Sequence, residues 1–230
     1  MQWLEQGGAL YVWDPQSLPK FAPSMFNLEA PDLAAKRVSE GGRNAAWFIN
    51  LAGQNAVLKY YQRGGVMAHF NQSYYFWAGR AQVRSLAEFA LLQNLYQLGL
   101  PVPRVLAAAC WRKGVLFYRA AIMTQRIEGA TPLAKSAHPK NWFDAGQMVL
   151  KMHQHGVWHA DLNAFNILLD PQQKVWLIDF DRAQQGVTDS NRLSGNIDRL
   201  ARSVRKVASA QFNLIWPAFL AGYQGQVSLN

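Results

Sequence analysis

A chain of 230 residues, half of them hydrophobic and 13% aromatic, is excluded from the disordered class and can bury the core of one large domain or two joined lobes. The single cysteine, Cys110, excludes an internal disulfide framework and fits a reducing cytosol, and no apolar run is long enough to span a bilayer. The formal charge of +9 favours an anionic partner (nucleic acid, nucleotide or acidic membrane surface) or else a solvated basic surface with no specific partner.

Residues 1–5 carry no basic segment followed by an apolar one, so no signal peptide is expected. Leu10-Tyr11-Val12-Trp13 reads as a short strand closed by Asp14-Pro15, and the Pro-rich residues 19–31 as a loop or covering segment. Residues 38–51 read as strand, Gly41-Gly42 turn and strand, after which Gln54-Asn55 turns the chain into Ala56-Val57-Leu58-Lys59-Tyr60-Tyr61. Glycines at 41 and 42 let backbone N–H groups approach a phosphate, but ordinary hairpin turns use the same pair. Residues 63–77 are expected to form a loop or short helical insertion, with Arg63, Arg80 and Arg84 as solvated charges or anion contacts.

Ser85 is the expected N-cap of a helix, with Glu88 at the capping-box position. Leu86, Phe89, Ala90, Leu92, Leu95, Tyr96 and Leu98 follow helical spacing, and Gly99 ends the run. Pro101-Val102-Pro103-Arg104 reads as an extended connection, Trp111-Arg112-Lys113-Gly114 as a turn, and residues 116–124 as a buried strand. A division is expected near Arg126, separating residues 1–125 from residues 126–230. Residues 143–155 predict an amphipathic helix with Phe143, Ala145, Gly146, Met148, Val149, Met152 and His153 inward. His153, His155 and His159 lack a clear fourth ligand and a nearby cysteine, so zinc is not expected. A further helix from about Asn196 carries Leu200, Val204 and Val207 inward. Arg199, Arg202, Arg205 and Lys206 form its basic face, either solvated or in contact with an anionic acceptor or lipid head group. Residues 212–223 form the last helix, with Pro217 as a kink or break.

The chemistry is concentrated in residues 157–182. His159, Asp161 and Asn166 fall in a polar loop that enters the apolar Ile167-Leu168-Leu169. Asp170-Pro171 then turns the chain into Val175-Trp176-Leu177-Ile178, which ends on Asp179-Phe180-Asp181. Such a hairpin gathers Asp161, Asn166 and Asp179 at one end. Phosphoryl transfer needs a set of this kind: one carboxylate to orient the acceptor hydroxyl, and an Asn and a second carboxylate for Mg²⁺. The competing reading is a hairpin with surface carboxylates.

The spacing resembles the protein-kinase catalytic loop H-R-D-L-x-x-x-N followed by D-F-G. Two departures stand out: Ala160 replaces the Arg that receives an activation-loop phosphate, and Asp181 replaces the Gly. In a kinase-like lobe Gly41 and Gly42 would cover the nucleotide phosphates and Lys59 would contact them. Glu88 would either pair with Lys59 or cap its own helix. There is no A-P-E segment, and little room for an activation loop.

Beyond that pattern, several stretches resemble the bacterial lipopolysaccharide-core kinases, and within them the branch acting on 3-deoxy-D-manno-octulosonic acid (Kdo). They are Gly41-Gly42-Arg43, Leu58-Lys59-Tyr60-Tyr61, Leu98-Gly99-Leu100-Pro101, the Asp161 loop and Asp179-Phe180-Asp181-Arg182. The resemblance implies an α+β, bilobal protein-kinase-like fold, with a small β-rich N-lobe holding one main helix and a mostly helical C-lobe. It implies transfer from ATP, with Mg²⁺, to a Kdo hydroxyl (the 4-OH) of a Kdo-lipid A precursor at the cytoplasmic face of the inner membrane, and no nucleic acid partner. Asp161 would then be catalytic, Asn166 and Asp179 metal ligands, and Gly41, Gly42, Lys59 and Glu88 the nucleotide-binding set. A heptose kinase, an aminoglycoside-type kinase and a pseudokinase acting as a membrane-associated binding module are the alternatives.

Overall fold

The amino terminus folds back on itself at Gly7-Gly8, where φ of 57° and 75° suits residues without a Cβ. The turn joins β1 (Gln2–Gln6), which sequence reasoning missed, to β2 (Ala9–Trp13). The computed structural model describes residues 1–38, 45–51, 53–62 and 74–225. Gly41, Gly42 and Arg63 lie outside the described residues, as does most of the 63–77 segment. The chain packs as two compact units: residues 1–93 with 103–126, and residues 94–102 with 127–230.

The first unit is built on an antiparallel sheet. Its strands, in chain order, are β1, β2, β3 (Lys36–Arg37), β4 (Ala45–Leu51), β5 (Gln54–Tyr60), β6 (Tyr75–Phe76), β7 (Val105–Lys113) and β8 (Phe117–Gln125). Among the described residues the spatial order is β1-β2-β7-β8-β5-β4-β3, with β6 also paired to β8. Trp111, Arg112 and Lys113 belong to β7 rather than to a turn, because β8 pairs with all three (opposite Arg119, Tyr118 and Phe117), while Ala9 of β2 opposes Trp111 and Arg112 N–H donates to the Gly8 carbonyl at 3.1 Å. Leu58 and Ala56 point into a core shared with Ala9, Tyr11, Leu106, Ala107 and Met123. The Pro-rich segment covers that side, as short 3₁₀ turns Pro23–Phe26 and Pro31–Leu33 that bury Phe26 and Leu33. Side chains alternate along a strand, so Lys59 projects from the opposite face of β5.

That face meets α1 (Arg84–Gln97). The helix starts one residue before the expected cap. Its first turn is closed by Ala87 N–H on the Val83 carbonyl, and Ser85, fully buried, donates Oγ–H to the Ala109 carbonyl of β7 at 2.9 Å. Ser85 therefore ties helix to sheet and does not cap. Tyr96 and Leu98, expected inward, are exposed at the fraying end of the run.

In the second unit α2 (Pro139–Gln154), α3 (Ser190–Val207) and α4 (Phe212–Tyr223) accompany a small sheet of β9 (Thr131–Pro132), β10 (Ile167–Leu169) and β11 (Val175–Leu177), in the spatial order β11-β10-β9. α2 starts four residues earlier than expected. Pro139 opens it, His138 accepts from Lys140 N–H, and Trp142 joins Val149 and Met152 in full burial. α3 starts six residues earlier: Asp189 caps it by accepting from Asn191 N–H at 2.9 Å, which offsets the poor propensity of Asn191, Ser194 and Gly195. Leu200 and Val204 are fully buried, whereas Val207 at the helix end is exposed. Pro217 lies inside α4, which continues through it. α2 and α4 touch backbone to backbone. A Cβ built on Gly146 would lie 2.1 Å from the Phe219 carbonyl oxygen, and one on Gly222 would lie 2.0 Å from that of Phe143.

Candidate active site

In the first unit, β5 and α1 hold a buried ion pair. Lys59 Nζ lies 3.0 Å from both Oε1 and Oε2 of Glu88, with side chains 13% and 3% exposed. Tyr61, just past the end of β5, donates its hydroxyl to Glu88 Oε2. The Lys59 ammonium also sits 4.8 Å from the Tyr61 ring centre. Of the two readings of Glu88, the structure shows the pairing: its carboxylate is turned to Lys59. A pair this dry is costly to desolvate, and it fixes the Lys59 ammonium at one place. Arg80 pairs with Glu5 at the surface at 3.3 Å, and Arg84 stacks over Tyr75. Cys110 is no nucleophile: burial in β7 pushes its thiol pKa up to about 12.

In the second unit the polar loop is held from below by His159 and Asn196. His159 is fully buried; its Nδ1 accepts from Asp161 N–H at 3.2 Å, so Nε2 carries the proton and donates to the Ile178 carbonyl at 3.1 Å. One imidazole thus links the loop to the residue before Asp179. Asn196 of α3, 1% exposed, brackets the His159 peptide, accepting from its N–H at 3.0 Å and donating to its carbonyl at 2.6 Å. The Asn196 oxygen also accepts from His153 Nε2 at 3.2 Å, and His153 Nδ1 receives the Tyr223 hydroxyl at 2.8 Å. Burial, above all, lowers the His153 pKa from 6.5, with His159 adding to the effect and the Asn196 bond opposing it. Sequence reasoning missed Asn196. The available signal was its place one turn before Leu200, on the apolar stripe of α3.

Above this base the loop presents its functional groups. Asn163 shapes it: Oδ1 accepts from Phe165 N–H at 2.9 Å and Asn166 N–H at 3.2 Å. Asn166 donates Nδ2–H to the Asp161 carbonyl at 2.9 Å, which commits its amide nitrogen and leaves Oδ1 as its acceptor face. The hairpin closes by Ile178 N–H on the Asn166 carbonyl at 3.0 Å, so Asp179 follows directly from the end where Asn166 stands. Asp179 adopts φ of 63°, a left-handed conformation that Asp tolerates better than most residues. Phe180 is buried against His159, with ring centres 4.9 Å apart. The Asp161 carboxylate is 55% exposed, and Arg199 Nη1 of α3 reaches Oδ1 at 3.2 Å.

The donor set suits a hard cation. An amide oxygen and a carboxylate are oxygen ligands of the kind Mg²⁺ takes in ones or twos, with water and phosphate completing its octahedron. No group of three or more His, Cys, Asp or Glu side chains suited to a metal occurs among the described residues. The turn at the far end of the hairpin is rigid as well: Asp170 accepts from Gln172, Lys174 and the Trp176 indole.

An antiparallel sheet carrying a buried Lys–Glu pair, followed by a helical part carrying an Asp-x₄-Asn loop and an Asp-Phe-Asp turn, defines a kinase-like α+β protein. A solved structure described as "WaaP in complex with acyl carrier protein" shares this fold at a TM-score of 0.58, with 16% identity over 94% of this chain and 89% of that one. The sequence model of the "Lipopolysaccharide kinase (Kdo/WaaP) family" matches residues 31–223. A Xylella fastidiosa (strain M12) protein named 3-deoxy-D-manno-octulosonic acid kinase is 46% identical over 177 residues, covering 75% of this chain and 71% of its own. A protein of the same name from Xanthomonas campestris pv. campestris (strain B100) is 38% identical over 206 residues, covering 88% and 82%. The chain belongs to the lipopolysaccharide kinase (Kdo/WaaP) family.

Proposed function

We propose that this chain transfers the γ-phosphoryl group of ATP to a Kdo hydroxyl, the 4-OH, of a Kdo-lipid A precursor. The observation that carries the reading is the half-exposed Asp161 carboxylate on a loop anchored by His159 and Asn196, with Asn166 and Asp179 brought to the same hairpin end. The acceptor class is supported by the names of the relatives.

In this mechanism Asp161 accepts the hydrogen of the acceptor hydroxyl, which orients the oxygen in line with the γ-phosphorus. The new P–O bond forms as the bond from the γ-phosphorus to the bridging oxygen breaks, ADP leaves, and the hydroxyl proton passes to Asp161. Lys59, held by Glu88, contacts the α- and β-phosphates, and the proposed nucleotide-binding set includes Gly41 and Gly42, which lie outside the described residues. Asn166 and Asp179 would hold Mg²⁺, which when bound neutralises charge on the phosphates. Residues 1–125 form the nucleotide-binding lobe and residues 126–230 the catalytic and acceptor lobe.

The acceptor is an anionic glycolipid, and a net charge of +9 favours its approach at the cytoplasmic face of the inner membrane. The proposed attachment is peripheral; no helix among the described residues is long and apolar enough to cross a membrane. The test is phosphate transfer by the wild type and by Asp161→Asn, with nucleotide affinity measured alongside. Retained turnover in Asp161→Asn would remove Asp161 from its assigned role.

A further inference from the structure

Helix α3 meets the catalytic loop along one stripe: Asn196 at His159, Arg199 at Asp161, and Ser203, whose Oγ accepts from Ala164 N–H at 3.2 Å. Separations of three and seven residues put all three on one helix face. Asn196 is buried with two hydrogen bonds to the backbone of one residue, His159, and Leu200 and Val204 beside the stripe are fully buried. The helix is thus fixed in register both before and after Arg199. Its guanidinium arrives 3.2 Å from Asp161 Oδ1 with the side chain 47% exposed. Within the loop the residue beside that carboxylate, two positions on, is the uncharged Asn163, so α3 supplies the cation there. Exposed ion pairs of this sort add little stability, which leaves the placement to be explained by something other than folding.

We propose that Arg199 is the acceptor-recognising residue, its guanidinium binding the carboxylate of the acceptor sugar acid while Asp161 takes a hydroxyl of the same sugar. The inference rests on the reading of this chain as a kinase of a ulosonic acid. Such a sugar differs from neutral hexoses and heptoses by its carboxylate, and the planar guanidinium fork matches that group through two parallel N–H donors. Arg199 spends one Nη on Asp161, and its other donors reach the substrate. The same contact sets the separation between the anchoring cation and the group that orients the hydroxyl. A neutral sugar in this place would leave the fork without its partner.

The test uses the full chain with saturating ATP and two acceptors, the Kdo-bearing lipid A precursor and its carboxamide derivative. The wild type is expected to favour the carboxylate in kcat/KM by about 10- to 100-fold, the worth of a charge-assisted contact. Arg199→Gln is expected to lose that factor through acceptor KM on the carboxylate substrate, over and above any loss it shows on the carboxamide through its contact with Asp161, and to keep the KM for ATP. Arg199→Lys, with charge but no fork, recovers only part. Equal losses on both acceptors, no loss on either, or a wild type indifferent to the carboxamide would each overturn the proposal. A wild type that phosphorylates neither acceptor overturns the kinase reading beneath it, a result distinct from the other three.

Discussion

Asp161 is exposed, yet the groups that aim it are buried, and the two sets respond differently to substitution. Asp161→Asn keeps the shape of the side chain and removes the proposed proton acceptor. The kcat is expected to fall by about 10²- to 10⁴-fold, with nucleotide affinity unchanged by isothermal titration. Asn196→Leu keeps volume but strips partners from the His159 N–H, the His159 carbonyl and His153 Nε2. It is expected to cost at least about 2 kcal/mol by urea titration and to lower kcat together with stability. The pair in the first unit separates charge from packing: Glu88→Gln removes the carboxylate charge from the buried Lys59–Glu88 pair, and about 3 kcal/mol of stability should be lost. The double change Lys59→Met with Glu88→Leu should regain much of that stability without any activity. His153 gives a pH signature. Its folded pKa lies below 6.5, so the unfolded chain binds the proton more readily, and its contribution is present above pH 6.5 and lost as the pH falls toward the folded value. The melting temperature should fall over that interval in the wild type and fall less in His153→Gln. Asp161, Asn166 and Asp179 were legible in the sequence because one hairpin, with local turn chemistry, brings them together. Asn196 was not, since its partner lies 37 residues away and a buried Asn reads as surface when its polar contact is unknown.

At the scale of elements, the junction of α2 with α4 depends on two residues without side chains. Gly146→Ala or Gly222→Ala would drive a methyl to about 2 Å from a carbonyl oxygen, against backbone that cannot swing aside. A loss of about 3 kcal/mol or failure to fold is expected, at the upper end of overpacking costs. Gly195→Ala is the counterpart: it lies inside α3 with nothing within 4 Å of the added carbon, so a gain of about 0.5–1 kcal/mol is expected from helix propensity and the unfolded chain. Chemical denaturation of the three variants checks both signs. The strands β2, β5 and β8 and the helix α1 were readable from apolar patterning. The first six residues of α3 were not, because Asn191, Ser194 and Gly195 weaken the local signal and the helix is set by the Asp189 cap and by packing further along. In the same way, Trp111-Arg112-Lys113 looks like a turn until β8 lies beside it.

The molecule as a whole comprises two compact units: one has a sheet bearing the Lys59–Glu88 pair, the other a helical part bearing the Asp161 loop and Asp179. The fold class was legible because the order of motifs along the chain is itself a topological statement: Gly turn, Lys strand, Glu helix, Asp-x₄-Asn loop, Asp-Phe-Asp. The nature of the acceptor was not legible from charge, since +9 suits any anionic partner equally. The central claim is tested most directly by Mg²⁺-dependent transfer of label from γ-labelled ATP to the Kdo-lipid A precursor, with a heptosylated core as the parallel acceptor and the product read by mass and by position. The account predicts one phosphate on the Kdo 4-OH with the wild type and none with Asp161→Asn. Transfer to heptose alone, or ATP binding with no transfer to any acceptor, would contradict it.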